Sequence, residues 1–516
     1  MNGAHALLAT LVSNDVRVCF ANPGTSEMHF VAALDDAPEM RGVLCLFEGV
    51  ATGAADGYAR VTRTPAATLL HLGPGLANGW ANLHNARRAH VPVLNVVGDH
   101  ATSHAVYDAP LQSNIESIAS ALEGWYRRTT KVDTLVGDAA AAIAASYGPP
   151  SVVATLVLPA DVSWSEVEAP TTWPRAARPT SSDVNEDDLA LSVKVLKSRR
   201  TVLVLGGSLS KEQLALARRI ASATSSRLLT ETFPTIIDRG ASVAHAERLI
   251  YVPEFAIDQL KDCEAVILLG AREPASFFAY PDVASRLAPD AAEIIDLVEP
   301  GADPYAALAA LADALHAPAL EIEHGEPPAR PHGELTTQSF AAAVGATLPE
   351  GVIVADESNT SGVHLPGATR FSPEHQWMTL TGGAIGYGLP VAVGAAVASS
   401  RRVLALESDG SMMYTSQALW TMAREGLDVT VVGLSNRSYA VLNYELTRVG
   451  ARSSGTASER MLDIDDPTLQ LADLAHSMGV TSERATTADE LVAALDRSYA
   501  TPGPTFIEAV LPKRFS

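Results

Sequence analysis

The chain has 516 residues, of which 47% are hydrophobic and 6% aromatic, and its formal net charge at pH 7 is −22. This acidity excludes nucleic acid and anionic membrane surfaces as expected partners, because both repel a strongly negative protein. The length suggests about three domains of ordinary size, and no apolar run approaches the roughly 18 residues that a membrane span requires.

Alternating helices and strands are predicted from the N-terminus onward. An amphipathic helix over 2–15 has no basic leader, so no secretion signal is predicted. An apolar strand over 16–20 then leads into the segment Asn-Pro-Gly-Thr-Ser-Glu at 22–27. The hydroxyl of Thr25 in this turn suits a cap on the next helix.

Two polar residues follow apolar strands in the next stretch. Glu48 follows the strand over 43–47 and begins a helix of small residues that leaves little room for a solvated charge. In such apolar surroundings, the carboxylate of Glu48 can hold or share a proton. Alternatively, this carboxylate only interacts with the helix dipole. His71 ends the strand over 68–71, where imidazole could relay protons near neutral pH or be a satisfied structural group.

Loops that follow His71 add further candidates. The glycine-rich turn at 73–79 lacks the GxGxxG register and has no acidic partner at the expected distance, so it is not predicted to bind a dinucleotide. A later loop at 108–112 ends with Gln112.

Two proline-rich stretches divide the chain, at about 168–188 and about 316–333. Between them, the apolar runs 201–207 and 265–270 are typical of buried strands that alternate with helices. We therefore predict an α/β protein with three doubly wound parallel-sheet domains in series. Their predicted bounds are 1–168, 186–318 and 334–516.

The three cysteines, Cys19, Cys45 and Cys263, lie in apolar strand-like runs without metal-ligand spacing. They are typical of reduced core residues, and they predict a cytoplasmic protein.

The C-terminal third carries the most informative pair of polar residues. Asp409 follows the apolar strand 403–406 within Ser-Asp-Gly-Ser, and Asn436 follows the strand 429–434, 27 residues later. Both are expected at the carboxyl ends of neighbouring parallel strands, where open α/β sheets bind ligands. A carboxylate, an amide oxygen and a backbone carbonyl suit a small hard cation. Asp-Gly is also a common turn dipeptide, so this pair alone leaves a plain turn as the alternative.

The pair resembles the thiamine diphosphate signature, in which GDG is followed about 27 residues later by NN; here the halves are SDG and SN. Taken with Glu48, His71 and the loop at 22–27, the resemblance extends over nearly the whole chain, as in acetolactate synthase large subunits and benzoylformate decarboxylase. It implies that the three domains are, in order, the pyrimidine-binding, central and diphosphate-binding domains.

The resemblance implies a catalytic role for four residues. Glu48 would protonate N1′ of the cofactor's aminopyrimidine, which promotes loss of the C2 proton from the thiazolium. His71 would relay protons in the pocket, where Thr25 would orient the substrate carboxylate and Gln112 would line a wall.

The resemblance also implies how the cofactor and its metal are held. Mg²⁺ would be bound by Asp409, Asn436 and the carbonyl of Ser438. The implied cofactor contacts are Asn359, Thr360, Gly410 and Ser411 at the diphosphate, the carbonyl of Gly383 at N4′, and Ile385 wedged between the two rings.

The implied reaction begins with decarboxylation of a small 2-oxo acid to an enamine. Ligation of the enamine to a second carbonyl compound, as in acetolactate synthase, is one outcome. Release of an aldehyde, as in benzoylformate decarboxylase, is the alternative, and a cofactor-binding paralogue without turnover is a third hypothesis, supported by the altered SDG and SN. The segment 270–274 lacks the second arginine of the flavin-associated RFDDR pattern, which weighs against FAD. The resemblance further implies active sites between subunits of a homodimer or homotetramer.

Overall fold

The structure is a computed structural model that describes residues 1–178, 184–319, 321–451 and 455–513. Its N-terminal unit is a six-stranded parallel sheet with the order β2-β1-β3-β4-β6-β5. The strands are β1 (Val18–Asn22), β2 (Arg41–Leu44), β3 (Ala66–His71), β4 (Val93–Asp99), β5 (Trp125–Arg128) and β6 (Val153–Pro159). The helices are α1 (Gly3–Ser13), α2 (Met28–Ala33), α3 (Glu48–Thr62), α4 (Leu72–Arg88), α5 (Ile115–Ser120), α6 (Val132–Tyr147) and α7 (Ala160–Trp164). Strands β4 and β6 are buried along their whole lengths, as expected for a parallel sheet covered on both faces.

The central unit is a five-stranded parallel sheet with the order β11-β9-β7-β12-β13. Its strands are β7 (Thr201–Leu205), β9 (Arg227–Thr230), β11 (Glu247–Arg248), β12 (Ala265–Leu269) and β13 (Glu293–Val298). Its helices are α8 (Glu186–Ser198), α9 (Lys211–Thr224), α10 (Pro253–Leu260) and α11 (Tyr305–Ala314). Two short strands of the same stretch, β8 (Ser208–Leu209) and β10 (Ile236–Arg239), leave this sheet and join the next one.

The C-terminal unit is an eight-stranded sheet with the order β18-β19-β17-β16-β14-β15-β10-β8, parallel except where β10 meets β15. Its own strands are β14 (Ile353–Glu357), β15 (His375–Thr379), β16 (Val403–Ser408), β17 (Val429–Ser435), β18 (Thr481–Ala485) and β19 (Thr505–Val510). Its helices are α12 (Thr337–Thr347), α13 (Leu365–Ala368), α14 (Gly388–Ala398), α15 (Asp409–Thr415), α16 (Ala418–Glu425), α17 (Ala440–Arg448), α18 (Thr456–Leu462), α19 (Leu471–Ser477) and α20 (Ala488–Ala500). Helix α14 is apolar almost all round because it is buried between this sheet and α3 of the N-terminal unit.

A buried ion pair on α3 ties the three units together. Arg60 has no exposed surface in its side chain and pairs with Asp56 one helical turn earlier, at 2.7 Å. Its guanidinium also donates to the carbonyls of Thr235 and Thr379, which belong to the central and C-terminal units. The hydroxyl of Tyr387 accepts a further bond at 3.0 Å. Because a buried guanidinium is costly unless its donors are satisfied, this network holds the units in one arrangement.

The predicted α/β class with three parallel-sheet domains in series is confirmed. Details differ at the strand ends: β1 starts two residues later than predicted, and β2 ends at Leu44, so a turn rather than a strand leads into Glu48. The three cysteines are buried, and burial raises the pKa of the Cys19 thiol to about 12. The predicted linker at about 168–188 includes 179–183, which lie outside the described residues. None of the helices in the described ranges combines the length and apolar character that a membrane crossing needs.

Candidate active site

Asp409 and Asn436 lie at the carboxyl ends of the adjacent parallel strands β16 and β17. Asp409 is buried, and its oxygens accept the backbone N–H groups of Gly410 at 2.8 Å and Arg437 at 2.6 Å. No described lysine or arginine comes within ion-pair distance of this carboxylate, and burial raises its pKa to about 6. A divalent cation would supply the counter-charge that the surrounding side chains do not.

The other two predicted metal ligands lie in the same loop. Oδ1 of Asn436 accepts the N–H of Ser438 at 3.0 Å, so the amide and the Ser438 backbone are neighbours. Carboxylate, amide and carbonyl oxygens are the donor set of a hard cation, and the residues present therefore fit Mg²⁺. In the described ranges, no cluster of three His, Cys, Asp or Glu side chains forms a separate metal centre.

Ser408 replaces the first glycine of the family signature without distorting the turn. Its backbone is extended, with φ −75° and ψ 145°, a conformation open to any residue. Its hydroxyl donates to the carbonyl of Glu357 at 2.9 Å and thereby joins β16 to β14.

The predicted diphosphate contacts surround the same strand ends. Asn359 begins a short 3₁₀ helix, Asn359–Gly362, and its Nδ2 donates to the hydroxyls of Ser408 at 2.9 Å and Ser411 at 3.0 Å. Thr360 is the next residue and is half-buried, while Gly410 is buried in the first turn of α15. The structure thus brings the four predicted diphosphate contacts together with the three predicted metal ligands at one edge of the sheet.

A second group of polar residues gathers in the N-terminal unit around Glu48. Glu48 is the first residue of α3 and is 7% exposed. Its Oε2 accepts a hydrogen bond from Nδ2 of Asn78 at 3.0 Å. Asn78 lies in helix α4, which includes the segment 73–79 that was predicted as a turn. No role was predicted for Asn78, since no motif distinguishes an asparagine that contacts a carboxylate 30 residues earlier.

His71 is held by a carboxylate that the sequence reasoning did not single out. Nδ1 of His71 lies 2.8 Å from Oε2 of Glu27, which is almost fully buried. Glu27 also accepts the N–H of Gly24 at 2.7 Å and the hydroxyl of Ser26 at 2.6 Å. None of the described residues hydrogen-bonds Nε2 of His71, so that nitrogen is available to a ligand. A glutamate three positions after a turn glycine is a capping signal and could have identified Glu27.

Two glycines make room for this Glu27–His71 pair. A Cβ at Gly24 would overlap the His71 ring, and a Cβ at Gly98 would overlap Oε1 of Glu27. Because interiors pack densely, a side chain at either position would displace the pair.

The predicted pocket residues Thr25 and Gln112 differ in exposure. Thr25 begins a 3₁₀ helix and is exposed in the single chain. Gln112 is half-buried, and its Oε1 has no hydrogen-bond partner among the described residues. The next residue, Ser113, packs against Gly73, two positions after His71, so this loop covers the turn at the end of β3.

Hydrogen bonds hold the segment 381–388 from two sides. Helix α4 holds one side: Nδ2 of Asn82 donates both to the carbonyl of Gly49 (2.8 Å) and to that of Gly386 (3.1 Å). On the other side, Glu357 accepts the N–H groups of Gly386, Tyr387 and Gly388 at 2.7–2.8 Å, and burial raises its pKa to about 7. The segment is therefore rigid before any ligand arrives.

The predicted aminopyrimidine contacts lie within this segment. Ile385 is half-buried against the main core, and the ring of Phe277 from the central unit packs against Gly383. Neither Phe277 nor Glu357 was assigned a role from the sequence, because both lie far along the chain from the segment that they contact.

One backbone donor at the carboxyl edge of the central sheet is already engaged. The N–H of Gly207, just beyond β7, donates to Oε1 of Glu231 at 2.7 Å. A phosphate would have to displace this carboxylate, and burial raises the pKa of Glu231 to about 7.

Comparison with known proteins places both halves of the site in one family. The family model described as the N-terminal TPP binding domain of thiamine pyrophosphate enzymes matches residues 1–121, and the corresponding C-terminal TPP binding domain matches residues 361–509. A Mycobacterium tuberculosis protein, provisionally named acetolactate synthase large subunit IlvX, is 53% identical over 520 residues and covers 99% of each chain. Benzoylformate decarboxylase of Pseudomonas aeruginosa is 28% identical over 529 residues, 95% of each chain. Among solved structures, the thiamine diphosphate-dependent 4-hydroxybenzoylformate decarboxylase of Rhodococcus jostii RHA1 superposes with a TM-score of 0.85 at 24% identity over 100% of both chains.

Proposed function

Because the chain belongs to the thiamine pyrophosphate enzyme family, we propose that it is a Mg²⁺-dependent decarboxylase of a small 2-oxo acid that releases an aldehyde. The cofactor, when bound, supplies the electron sink for loss of carbon dioxide. The observation that carries the proposal is the Glu27–His71 pair, which holds a histidine with an available Nε2 in the same unit as Glu48.

Each group of site residues would have a separate role. Asp409, Asn436 and the Ser438 carbonyl would hold the metal, and Asn359 with Ser411 would contact the diphosphate. Glu48 would hold a proton at N1′ of the aminopyrimidine. Its hydrogen bond from Asn78 orients the carboxylate before the cofactor binds.

His71 would deliver a proton through Nε2 to the carbon that has lost carbon dioxide. Glu27 would hold the Nδ1–H tautomer and stabilise the imidazolium, as a buried carboxylate does for a general-acid histidine. Thr25 and Gln112 would contact the substrate at the mouth of the pocket.

Carboligation is the second candidate, favoured by the 53% identity to the relative provisionally named as an acetolactate synthase large subunit. In that reaction a second carbonyl compound takes the place of the proton from His71. A histidine poised to protonate would compete with the second substrate, so the Glu27–His71 pair favours aldehyde release.

We further propose that the complete site forms between two copies of the chain. No hydrogen bond among the described residues joins the Glu48 group to the Asp409 group. Large apolar side chains are exposed next to both: Leu46 is 46% exposed near Glu48, and Met413 and Tyr414 are 40% and 54% exposed on α15. Such side chains are typical of surfaces covered by a partner, and a homodimer or homotetramer would cover them.

The proposal is tested by binding and product analysis together. Calorimetry should show saturable uptake of thiamine diphosphate in the presence of Mg²⁺, and Asp409→Ala should abolish it while Glu48→Gln retains it. With a panel of 2-oxo acids, the wild-type protein should release carbon dioxide and aldehyde, and Glu48→Gln should release neither. A product with a new carbon–carbon bond from pyruvate alone would favour carboligation, and cofactor uptake without carbon dioxide release would favour a paralogue without turnover.

A further inference from the structure

A cleft that no candidate site residue lines lies between the central and C-terminal units. Its cavity volume is about 80 Å³, and it opens to solvent. One wall is the chain that runs from β10 to β11, and the other is formed by Pro366, Arg370 and Trp377 of the C-terminal unit. We call it the arginine cleft, because Arg239, Arg248 and Arg370 all line it.

Two of these arginines have no carboxylate partner among the described residues. Arg239 donates to the carbonyl of Pro366 at 2.6 Å, and its guanidinium lies 4.9 Å from the centre of the Trp377 ring. Neither a hydrogen bond nor an ion pair to a described residue engages the guanidinium of Arg248. Arg370, by contrast, pairs with Glu323. Arg239 is half-buried and Arg248 is exposed, so both guanidiniums can meet an anion that enters the cleft from solvent.

The carboxylates nearest to the cleft are already engaged. Asp238 accepts the N–H of Lys211 at 2.8 Å and the amide of Gln376 at 2.9 Å. Asp356 accepts the indole N–H of Trp377 at 3.0 Å and the hydroxyl of Ser358 at 2.5 Å. Neither makes an ion pair with Arg239 or Arg248, although the negative charge of Asp356 favours the cationic form of both. Three arginines against one aspartate leave the lining of the cleft with a net positive charge.

The pKa values of two histidines agree with a positive electrostatic potential near the cleft. Burial, followed by repulsion from Arg370, Arg239 and Arg218, lowers the pKa of His245 to about 4 against a small opposing effect of Glu247. Burial and Arg239 likewise lower the pKa of His375 to about 4. Both imidazoles are thus kept neutral by burial in a region of positive potential.

We propose that the arginine cleft binds a small organic anion, with a carboxylate or phosphate group between Arg239 and Arg248 and a short apolar body against Leu214, Ile237 and Val243. The planar guanidinium presents paired donors that match either group. The apolar wall selects against inorganic ions. Thr379 also lines the cleft at the end of β15, four residues before Gly383, so a bound anion would lie beside the strand that leads to the aminopyrimidine segment.

The test is calorimetry on the full chain saturated with thiamine diphosphate and Mg²⁺, so that the cofactor's own phosphate site is filled. The probes are 3-methylbutanoate, isobutyl phosphate, inorganic phosphate and the uncharged 3-methylbutanamide. We expect saturable binding of at least one organic anion, at least tenfold weaker binding of inorganic phosphate, and no binding of the amide. Arg248→Gln should weaken the organic anion at least tenfold. Arg200→Gln, which removes an exposed arginine of the same unit, should leave its affinity unchanged.

A second measurement leaves the arginines of the cleft unchanged. Histidine-labelled protein followed by NMR, with His245 assigned through His245→Gln, should show the His245 pKa rising when the anion binds, because the anion offsets Arg239, Arg370 and Arg218. The proposal is overturned if no anion binds saturably, if Arg248→Gln binds as tightly as wild type, or if His245 does not respond. Anion binding that survives Arg248→Gln would place the ligand in the substrate pocket instead.

Discussion

Replacing Glu27 by glutamine tests the proposed proton relay with a change of one atom. The carboxylate accepts three hydrogen bonds, from Gly24, Ser26 and His71, and two of them converge on Oε2. A glutamine offers one oxygen and one N–H₂ group, so its Nε2 would face a donor wherever it takes the position of Oε2. Whichever way the amide is turned, the group beside Nδ1 of His71 is no longer charged, so the imidazolium that donates a proton through Nε2 would lose its stabilising carboxylate.

The expected size follows from these contacts. Each hydrogen bond to a charged partner contributes about 1.5–3 kcal/mol, so loss of the bonds at Oε2 should destabilise the fold by a few kcal/mol. Positioned acid–base catalysis is worth about 10²–10⁴ in rate, so kcat for aldehyde release should fall at least about 100-fold. The affinity for thiamine diphosphate should not change, because Glu27 contacts none of the predicted cofactor residues.

The assay is aldehyde formation under single-turnover and steady-state conditions, with unfolding by urea measured in parallel. Asp138→Asn is the matched control. Asp138 is a buried carboxylate of the same unit that also accepts three hydrogen bonds, all of them from side chains: Arg127, Thr129 and Thr134. It should lose similar stability while kcat stays near the wild-type value.

Wild-type kcat in a folded Glu27→Gln protein would refute the relay. Equal losses of kcat in Glu27→Gln and Asp138→Asn would also refute it, because activity would then follow stability rather than the chemistry of His71.

Two further predictions concern packing and pH. Gly98→Ala should destabilise the fold by about 1–3 kcal/mol through overpacking and reduce kcat, because the new Cβ overlaps Glu27. The control is Gly137→Ala in helix α6, where the new Cβ meets open space, so this change should be neutral or slightly stabilising. Equal free energies of unfolding of the two variants in urea would contradict this reasoning. Burial raises the pKa of Glu231 from 4.5 to about 7, so the native state binds the extra proton between these values, and stability relative to Glu231→Gln should fall as pH rises from about 5 to 8. The quantity to follow is the free energy of unfolding of the wild type minus that of Glu231→Gln. If it stays constant or increases from about pH 5 to 8, Glu231 is not a buried acid with a raised pKa.

Several features of this protein were predictable from local pattern alone. Apolar runs that end in Asp409, Asn436 and His71 identify parallel strands, because a strand buried on both faces must be apolar along its length and can carry polar residues only at its end. The spacing between Asp409 and Asn436 then places both residues at one edge of one sheet. The same reasoning located Glu48, since a lone carboxylate that opens a helix of small residues is conspicuous in the sequence.

Other features depend on contacts between distant parts of the chain. Nothing local pairs Glu27 with His71 or Asn78 with Glu48, since these contacts arise only when β1, β3 and the adjoining helices are set side by side. The transfer of β10 into the C-terminal sheet was likewise not predictable, because a four-residue strand has the same pattern whichever sheet accepts it.

By itself, the sequence determined the α/β class, the order of the units and the strand ends that carry polar residues, because periodicity and turn chemistry are properties of neighbouring residues. Only the tertiary structure decided which carboxylate holds the histidine, which helix fastens the segment 381–388 and which arginines remain without a counter-charge. Those outcomes depend on burial and on distances of a few ångströms between residues far apart in the chain, and such distances are set by packing rather than by spacing in the sequence.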